Sequence, residues 1–315
     1  MSHSILSIGD IVADLVFAIK KLPIDHEQHQ QAHSAGIEAG GAGNFLTAGA
    51  RLDMQMHALG AIGDDAFGAT VTQLLAAEGV DVSGLVVQPG AMTTPVLVLV
   101  DDAGQHVFVG APHTAIPAQM PAAWSGLLAG ADALFFQGYT LLEQGVAELA
   151  LELAARAQRT GMPVFFDPGP LYASVTPALQ ARALEHVTHV LLTHLEIDLL
   201  LPAATAIDDL RSLLQPPLGV ICVKRGGQGC SVLTPSATIH HAGFAVPVRD
   251  TTAAGDSFDA AFIYGVLCGW PLEQVALFAN AVGAAKVQKY GSGRQTPTAD
   301  EVRALLRQFG VEVEF

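Results

Sequence analysis

Apolar residues recur along the chain in two patterns that alternate with each other. Short apolar runs predict buried strands, and longer stretches in which apolar residues return every three or four positions predict helices. The predicted strands cover residues 5–8, 11–19, 56–59, 133–136, 164–166, 190–192, 219–223 and 230–233. The predicted helices cover residues 44–51, 70–78, 144–159, 176–185, 257–267 and 272–289.

Regular alternation of strands and helices is typical of a mostly parallel sheet with helices on both faces. The sequence therefore predicts a doubly wound α/β fold in one domain that spans residues 1–315. Two segments depart from the alternation. Residues 96–100 and 105–109 flank an Asp-Asp-Ala-Gly turn, which predicts a hairpin. We expect residues 11–38 and 93–112 to form antiparallel excursions that build a small β-sheet lid.

Composition narrows the classes of function. Half of the 315 residues are apolar and 14% are charged, so the chain can bury a large core. A formal net charge of −15 and the lack of a basic run argue against a nucleic-acid partner, because clustered Lys and Arg bind phosphate backbones. No apolar stretch reaches the ~18 to 20 residues that span a bilayer, and residues 1–7 lack the basic start of a signal peptide. We expect a cytoplasmic protein with no membrane partner.

The cysteines and histidines form no metal or redox motif. Cys222, Cys230 and Cys268 have apolar or glycine-rich neighbours and no CxxC spacing, and we interpret them as buried apolar residues in a reducing compartment. The clustered histidines lack an HExxH pattern and matched carboxylates, so we interpret them as surface residues. They are His26, His29, His33, His240 and His241.

The strongest chemical signal is a run of small residues followed by an acid near the predicted start of a helix. Ala253, Ala254 and Gly255 have little or no side chain, so their backbone N–H groups are open to a ligand. Amides at a helix N-terminus attract anions, because the helix dipole adds to their positive charge. Asp256 follows directly, where it could accept a proton from a hydroxyl while the amides hold a phosphoryl group. The alternative is that Asp256 only caps the helix.

The segment Asp-Thr-Thr-Ala-Ala-Gly-Asp-Ser-Phe at residues 250–258 resembles the C-terminal signature of the ribokinase-like carbohydrate kinases, the PfkB family. The resemblance implies a ribokinase-like fold and an ATP-dependent phosphotransferase that acts on an alcohol group. It also implies that Asp256 is the catalytic base and that residues 253–255 form its anion hole. Further motifs agree with the family in order and spacing over nearly the whole chain.

Motifs in the first half of the chain resemble the sugar-binding positions of the family. Asp14 follows the first strand, where the family has an acid that binds sugar hydroxyls, and a short carboxylate can accept two vicinal hydroxyls. Gly40, Gly41 and Asn44 resemble the family's Gly-Gly signature, in which glycine lets the backbone approach the ligand. Tyr139 follows a strand at a position that resembles part of the sugar pocket.

Motifs in the second half resemble the nucleotide and magnesium positions. Lys224, Gly226 and Gly229 lie in a segment similar to the nucleotide loop of the family, and Asn280 matches a position beside the adenine. Glu196 resembles an acid of the magnesium and phosphate environment. The resemblance thus implies ATP and Mg²⁺ as cofactors.

A further set of residues resembles the family's site for a monovalent cation such as K⁺, which shapes the anion hole. These residues are Asp250, Thr252 and the turn at 291–293. The chain also departs from the family at two positions. Ala39 replaces the first glycine of the Gly-Gly signature, and Thr193 replaces the Asn of the magnesium motif.

Several substrate classes remain open. Lys20 and Lys21 are the lid residues that could hold a phosphorylated sugar, but they end a strand where side chains face water. We therefore expect an unphosphorylated substrate such as ribose, fructose or a 2-keto-3-deoxy acid. A nucleoside is the alternative, since Phe17 and Phe108 of the lid could stack on a base. A second alternative is a silent sensor of sugar or nucleotide, against which the presence of Asp256 argues.

Other classes of nucleotide-binding protein lack their motifs here. No Gly-x-x-x-x-Gly-Lys-Ser/Thr occurs, which disfavours a P-loop kinase, and no Gly-x-Gly-x-x-Gly follows the first strand, which disfavours a Rossmann dehydrogenase. Open strand edges invite pairing, so the lid hairpin favours a homodimer in which two copies pair edge to edge.

Overall fold

The computed structural model describes residues 2–27, 29–117, 119–202 and 204–315. Residues 1, 28, 118 and 203 of the predicted domain lie outside these ranges, and residue 28 also belongs to the predicted lid. Its strands are β1 (Ser4–Ile8), β2 (Ile11–Ile19), β3 (Ser34–Gly41), β4 (Gln55–Gly63), β5 (Leu85–Gln88), β6 (Pro95–Asp101), β7 (His106–Gly110), β8 (Ala133–Gln137), β9 (Val164–Asp167), β10 (His189–Thr193), β11 (Val220–Lys224), β12 (Cys230–Leu233) and β13 (Thr238–His241). Its α-helices are α1 (Ala42–Ala50), α2 (Ala66–Ala77), α3 (Ala122–Ala129), α4 (Gln144–Arg159), α5 (Pro177–Leu184), α6 (Ile197–Leu200), α7 (Ala254–Leu267), α8 (Leu272–Lys286) and α9 (Ala299–Gln308).

The main sheet is mostly parallel, as the alternation of strands and helices predicts. In the described part of the chain it has nine strands in the order β13-β12-β11-β10-β9-β8-β1-β4-β5. Every pair from β11 across to β5 is parallel, and β12 and β13 add an antiparallel edge. With its helices, this sheet confirms the predicted doubly wound α/β architecture.

Helices cover both faces of the main sheet because its strands carry apolar side chains on both sides. Successive side chains of a strand point to opposite faces. Phe135 of β8 therefore packs in a core with α1, α2, α7, α8 and α9, while Phe136 packs in a second core with α3, α4 and α5. Phe165 and Phe166 of β9 divide in the same way. The two cores leave the carboxyl ends of the parallel strands together at one edge.

A separate sheet of four strands, in the order β3-β2-β6-β7, corresponds to the predicted lid. The pairs β2–β3 and β6–β7 are antiparallel. Each predicted excursion is therefore antiparallel within itself, and the two are joined by β2 and β6, which pair in parallel. β3 also continues to Gly41, beyond the predicted boundary at residue 38, because its register with β2 runs on to Ile11. We call this unit the small sheet.

Some features differ from the expectations drawn from the hydrophobic pattern. β3 consists mostly of Ser, Ala and Gly, which have low strand propensity, and its pairing with β2 makes it a strand. α7 begins at Ala254, ahead of the expected start at residue 257, which places Asp256 in its first turn.

Cys268 is exposed, which corrects the interpretation of all three cysteines as buried. Within the described ranges, no helix has both the length and the apolar composition needed to cross a bilayer.

Candidate active site

Polar side chains collect at the edge where the parallel strands of the main sheet end. In an open α/β sheet, ligands bind at this edge. The N-terminus of α7 reaches it, since Asp256 accepts a hydrogen bond from the last residue of β8. The polar residues at or directly after the strand ends are Asp10, Gln137, Asp167, Thr193 and Lys224.

The first turn of α7 presents backbone amides toward this edge. Ala253 precedes the helix at φ 58°, a left-handed conformation that is uncommon for alanine. Within the described residues, the N–H groups of Ala253 and Gly255 have no hydrogen-bond partner. The Ala254 N–H donates to the Thr251 carbonyl at 3.1 Å, which differs from the expectation that all three amides are open. An anion at this turn would therefore meet the amides of Ala253 and Gly255 first.

Asp256 is half-buried in the same turn. Its Oδ1 accepts a hydrogen bond from Gln137 Nε2 at 2.7 Å, which orients the carboxylate toward the end of β8. Burial raises the pKa of Asp256 to about 6, and the charge of Asp167 adds to the rise. A carboxylate with this pKa is ionised at neutral pH and is a stronger base than a solvated aspartate. The geometry and the pKa both suit a general base.

Asp14 lies on β2 of the small sheet and is only 3% exposed. Ser292 Oγ donates a hydrogen bond to its Oδ2 at 3.1 Å. A Cβ on Gly40 would lie 2.1 Å from the Asp14 carboxylate, so a glycine at this position makes room for it. Burial raises the pKa of Asp14 to about 7 against the lowering effect of the Ser292 hydrogen bond, and the charge of Asp256 adds to the rise. The two carboxylates therefore act on each other across a shared space.

Gly41 and Asn44 join the small sheet to α1. Gly41 has φ 57°, and a Cβ there would lie 2.3 Å from the carbonyl oxygen of Asp10. Asn44 is buried, and its Oδ1 accepts a hydrogen bond from the Gly293 N–H at 2.8 Å. Its side-chain NH₂ has no hydrogen-bond partner within the described residues and stays available as a donor.

Lys224 lies in the interior, which differs from a position in an exposed nucleotide loop. Its ammonium donates to Asp167 at 2.7 Å and to the two oxygens of Asp259 at 2.9 and 3.1 Å. Burial lowers the pKa of Lys224, but the two carboxylates raise it further than burial lowers it. A Cβ on Gly255 would lie 3.7 Å from the Lys224 Nζ, so this positive charge lies close to the first turn of α7. A contact of Lys224 with nucleotide stays a prediction.

Of the other predicted nucleotide residues, Gly229 and Asn280 come together at His241. Gly226 and Gly229 have φ 55° and 85° in the turn after β11. A Cβ on Gly229 would lie 2.0 Å from the His241 carbonyl oxygen, so the turn packs closely against the end of β13. Asn280 of α8 is buried with its Nδ2 3.1 Å from His241 Nδ1. The structure thus joins Gly229 and Asn280 through one histidine.

Tyr139 and Glu196 both lie close to the acidic centre of the site. The pKa of Tyr139 is raised by burial and then by the charges of Asp256, Asp167 and Glu196. Glu196 is buried and accepts a hydrogen bond from the Thr193 N–H at 2.7 Å. Burial, followed by the charge of Asp167, raises the pKa of Glu196.

No group of three or more His, Cys, Asp and Glu side chains in the described residues is arranged to hold a metal ion. Mg²⁺ does not need such a cage, because it keeps several waters and binds through one or two carboxylates together with phosphates. Glu196 and Asp167 supply carboxylate oxygens of the kind that this ion prefers. The donor chemistry therefore fits a magnesium ion that arrives with a nucleotide.

The residues predicted to hold a monovalent cation form a compact hydrogen-bond cluster. Asp250 is fully buried, and its Oδ1 accepts from the Thr252 N–H at 2.9 Å and from the Thr252 hydroxyl at 2.7 Å. Its Oδ2 accepts from the Gly291 N–H at 2.6 Å. Lys286, also fully buried, lies at the end of α8 and donates to the Lys289 carbonyl at 3.2 Å.

Sequence reasoning missed two buried charges of this site, although each left a signal. Lys286 is a lysine at the end of an Ala-rich, otherwise apolar stretch of α8. Asp259 follows Asp256 by three residues, a spacing that places both acids on one face of a helix. A charge inside an apolar helical pattern points to a buried partner.

Comparisons with known proteins extend over nearly the whole chain. The sequence profile described as pfkB family carbohydrate kinase matches residues 2–299. The ATP-dependent ribose-1-phosphate kinase of Halopiger xanaduensis is 29% identical, over 96% of this chain and 98% of the relative. The ribokinase of Bacillus subtilis is 26% identical, over 96% of this chain and 99% of the relative. A candidate ribokinase II from E. coli, solved in complex with ATP and Mg²⁺, is similar with a TM-score of 0.85 and 23% identity, over 98% of this chain and 100% of that chain.

Proposed function

Since the chain belongs to the pfkB family of carbohydrate kinases and is an ATP-dependent kinase, we propose that it phosphorylates a hydroxyl of a small unphosphorylated sugar or sugar-like molecule. One observation carries this proposal. Asp256 is a carboxylate with a pKa of about 6 in the first turn of a helix whose Ala253 and Gly255 amides are open. This turn can hold a phosphoryl group and accept a proton at adjacent positions.

In the proposed reaction, a sugar hydroxyl donates a hydrogen bond to Asp256, which takes its proton as the oxygen attacks the γ-phosphorus of ATP. The bond from this phosphorus to the bridging oxygen of ADP breaks, so the products are a sugar phosphate and ADP. The amides of Ala253 and Gly255 stabilise the charge on the transferring group. The Lys224 ammonium, held near Gly255, adds positive potential there.

We assign the nucleotide to the side of the site that carries Gly226, Gly229 and Asn280, where a Cβ on Gly226 would have no atom within 4 Å. Glu196 would hold Mg²⁺ through a water molecule, and the ion when bound neutralises phosphate charge. The structurally similar ribokinase II was solved with ATP and Mg²⁺, which supports this pair of ligands.

We assign the sugar to the opposite side, between the small sheet and α7. Asp14 would accept hydrogen bonds from vicinal hydroxyls, the free NH₂ of Asn44 would donate one, and Tyr139 would line the pocket. Gly40 and Gly41 allow the backbone to approach the ligand. Because β2 carries Asp14, movement of the small sheet over the sugar would close the site and exclude water.

The pairing of two arginines supports an unphosphorylated substrate. Arg51 donates to Glu78 at 2.7 and 2.9 Å and to two backbone carbonyls. Arg294 donates to Glu38 at 2.8 and 3.0 Å. Guanidinium groups that are already paired with carboxylates have little charge left for a substrate phosphate. Ribose, fructose and a 2-keto-3-deoxy acid are therefore the candidate substrates.

Two alternatives make different predictions. A nucleoside kinase would use the exposed Phe108 of the small sheet to stack on a base. A silent sensor would bind its ligand without turnover. Measurement of ADP formation separates these classes when it is run with ribose, fructose, a 2-keto-3-deoxy acid, ribose 1-phosphate, adenosine and uridine.

We expect the highest kcat/KM with an unphosphorylated sugar. Asp256→Asn should lower kcat by about 10² to 10⁴, because an amide cannot accept the proton. Asp300→Asn, which changes an exposed acid of α9, is the matched control and should keep the wild-type kcat. Higher kcat/KM with a nucleoside or with ribose 1-phosphate would overturn the substrate class. Turnover that survives Asp256→Asn would overturn the mechanism, and binding without any turnover would favour the sensor.

A further inference from the structure

Lys286 is the last residue of α8 and carries an ammonium group deep inside the protein. The residue is 0% exposed, and its Nζ donates a hydrogen bond to the Lys289 carbonyl at 3.2 Å. A fully buried lysine is rare unless an opposite charge is close by, because transfer of an unpaired ammonium out of water is costly. The surroundings of Lys286 therefore need to supply negative charge.

Asp250 supplies this charge from the adjacent segment. The N–H groups of Arg249 and Asp250 donate to the carbonyl of Val287, at 2.7 and 3.2 Å, which fixes Asp250 beside the end of α8. Burial lowers the pKa of Lys286 to about 8, and the charge of Lys289 adds to this lowering, whereas the charges of Asp250 and, more weakly, Asp256 oppose it. The ammonium is thus ionised at neutral pH and interacts with both acids.

The same cluster was the candidate site for a monovalent cation. Such an ion needs carbonyl and carboxylate oxygens around an open space. Here the Asp250 oxygens already accept hydrogen bonds from Thr252 and Gly291, and the Lys289 carbonyl already accepts from Lys286. A second positive charge at these oxygens would be repelled by the ammonium. The residues present do not fit a bound K⁺ ion.

We propose that Lys286 supplies from within the chain the positive charge that the family resemblance assigns to a potassium-like ion, so that this kinase works without a monovalent cation. The inference rests on the proposed function. The end of α8 is bonded to this segment through the Val287 carbonyl, which accepts from the Arg249 and Asp250 N–H groups. The ammonium at this helix end offsets the charge of Asp250, and in this way it keeps the 250–255 segment and the amides of Ala253 and Gly255 in place for the phosphoryl group. Lys286 is a positioning residue, since it acts through this segment on the reacting atoms.

The wild-type protein provides the first test. ADP formation is measured with K⁺ and with tetramethylammonium as the monovalent cation at equal ionic strength, and melting temperature is measured under both conditions. We expect less than about a twofold difference in kcat/KM and equal melting temperatures. Activation or stabilisation specific to K⁺ would overturn the inference. A lack of turnover in both salts would contradict the proposed function instead. In that case the melting temperatures would show whether the protein binds K⁺: equal values would support the inference, and a higher value in K⁺ would overturn it.

A variant provides the second test. Lys286→Ala removes the ammonium and opens the space beside the Lys289 carbonyl. In tetramethylammonium its kcat should fall about 10- to 10²-fold while KM for the sugar changes little, because misplacement of the anion hole slows the chemical step. K⁺ should restore part of this loss and raise the melting temperature of the variant.

Arg307→Ala is the control for loss of one positive charge, since Arg307 is exposed on α9. It should keep the wild-type response to both salts. Full activity of Lys286→Ala in tetramethylammonium would overturn the inference. If Lys286→Ala does not fold, the comparison of salts on the wild-type protein still decides.

Discussion

Two carboxylates, the buried Asp14 and the half-buried Asp256, give the candidate site its electrostatic character. Burial is the main cause of the raised pKa in both, and the charge of Asp256 adds to the rise at Asp14. An acid that is held out of water interacts strongly with a polyol hydroxyl, because few water molecules compete for it. The same burial destabilises the ionised form of each acid in the folded protein. Function at these residues therefore costs folding free energy.

This cost can be measured at Asp14. The pKa of Asp14 rises from 3.8 to about 7 on folding, so between these values the folded protein keeps a proton that the unfolded chain has lost. The contribution of Asp14 to the free energy of unfolding thus falls as pH rises through this window. Above pH ~7, the full loss of stability caused by burying the ionised carboxylate is present. Asp14→Asn cannot ionise, yet it keeps an oxygen that can accept from Ser292. It should raise the free energy of unfolding above pH ~7 by on the order of 1 to 4 kcal/mol.

Urea denaturation at about pH 4 and about pH 8 measures this gain for wild type and variant. The difference should be small at the lower pH and large at the higher one, while affinity for the sugar is lost. Asp300→Asn, at an exposed acid, should change neither value. If Asp14→Asn raises the free energy of unfolding by the same amount at both pH values, burial of an ionisable Asp14 is not the cause of the increase.

At the scale of elements, the sequence predicts those strands and helices in which the spacing of apolar side chains alone indicates the type of element. The apolar runs of β8 and β9 are visible because both faces of these strands are buried. α4 is visible through its helical spacing, and its predicted bounds match those of the structure. β3 is not visible, because pairing with β2 forms it and not the propensity of its Gly and Ala residues.

The residues of the candidate site also divide into those that the sequence alone brings together and those that only the fold brings together. Asp256 and the small residues before it lie in one continuous motif, so the sequence alone brings them together. Lys224, Asp167 and Asp259 are far apart in the chain and meet only because β9 and β11 end, and α7 begins, at the same edge. Hydrogen bonds between such distant residues depend on the order and alignment of the strands in the sheet. A hydrophobic pattern specifies neither of them.

β3 offers a matched pair of glycines for a test of the sugar side. A Cβ on Gly40 would lie 2.1 Å from the Asp14 carboxylate, whereas a Cβ on Gly36 of the same strand would have no atom within 4 Å. Gly40→Ala should therefore displace Asp14 and raise KM for the sugar by about tenfold or more, since a misplaced polar contact costs on the order of 1 to 3 kcal/mol.

Gly36→Ala is the control, and its kinetics should stay those of the wild type. KM for ATP should be unchanged in both variants, because the assigned nucleotide residues lie on the other side of the site. Equal effects of the two substitutions on KM for the sugar would mean that the strand, and not the Asp14 position, determines binding.

At the scale of the whole molecule, the turn at residues 291–293 connects the small sheet, α1 and Asp250. Ser292 donates to Asp14, the Gly293 N–H donates to Asn44, and the Gly291 N–H donates to Asp250. The turn thus contacts Asp14, which is proposed to bind the sugar, a residue of α1, and the acid that lies in the segment next to the end of α8. Movement of the small sheet over a sugar would act through these bonds on the segment that leads to the anion hole.

The outer edge of the small sheet predicts the assembly state. β7 is its last strand, and every residue of β7 is exposed, with Val107, Phe108 and Val109 at 41%, 49% and 58%. A long apolar edge of this kind invites pairing with another strand. We therefore expect a homodimer in which the β7 strands of two copies associate, as measured by light scattering after gel filtration.

A charge on this edge should separate the two copies. Val109→Lys places an ammonium where the partner strand would pack, and we expect it to yield a monomer with an unchanged circular dichroism spectrum. Val87→Lys is the matched control, because Val87 is 55% exposed on β5, the edge strand of the main sheet, and should leave the dimer intact. A wild-type protein that is monomeric at micromolar concentration, or a Val109→Lys variant that stays dimeric, would contradict association through β7. If the dimer forms as expected, β7 is covered in each copy, and the proposed movement of each small sheet over a sugar would take place against the edge of its partner.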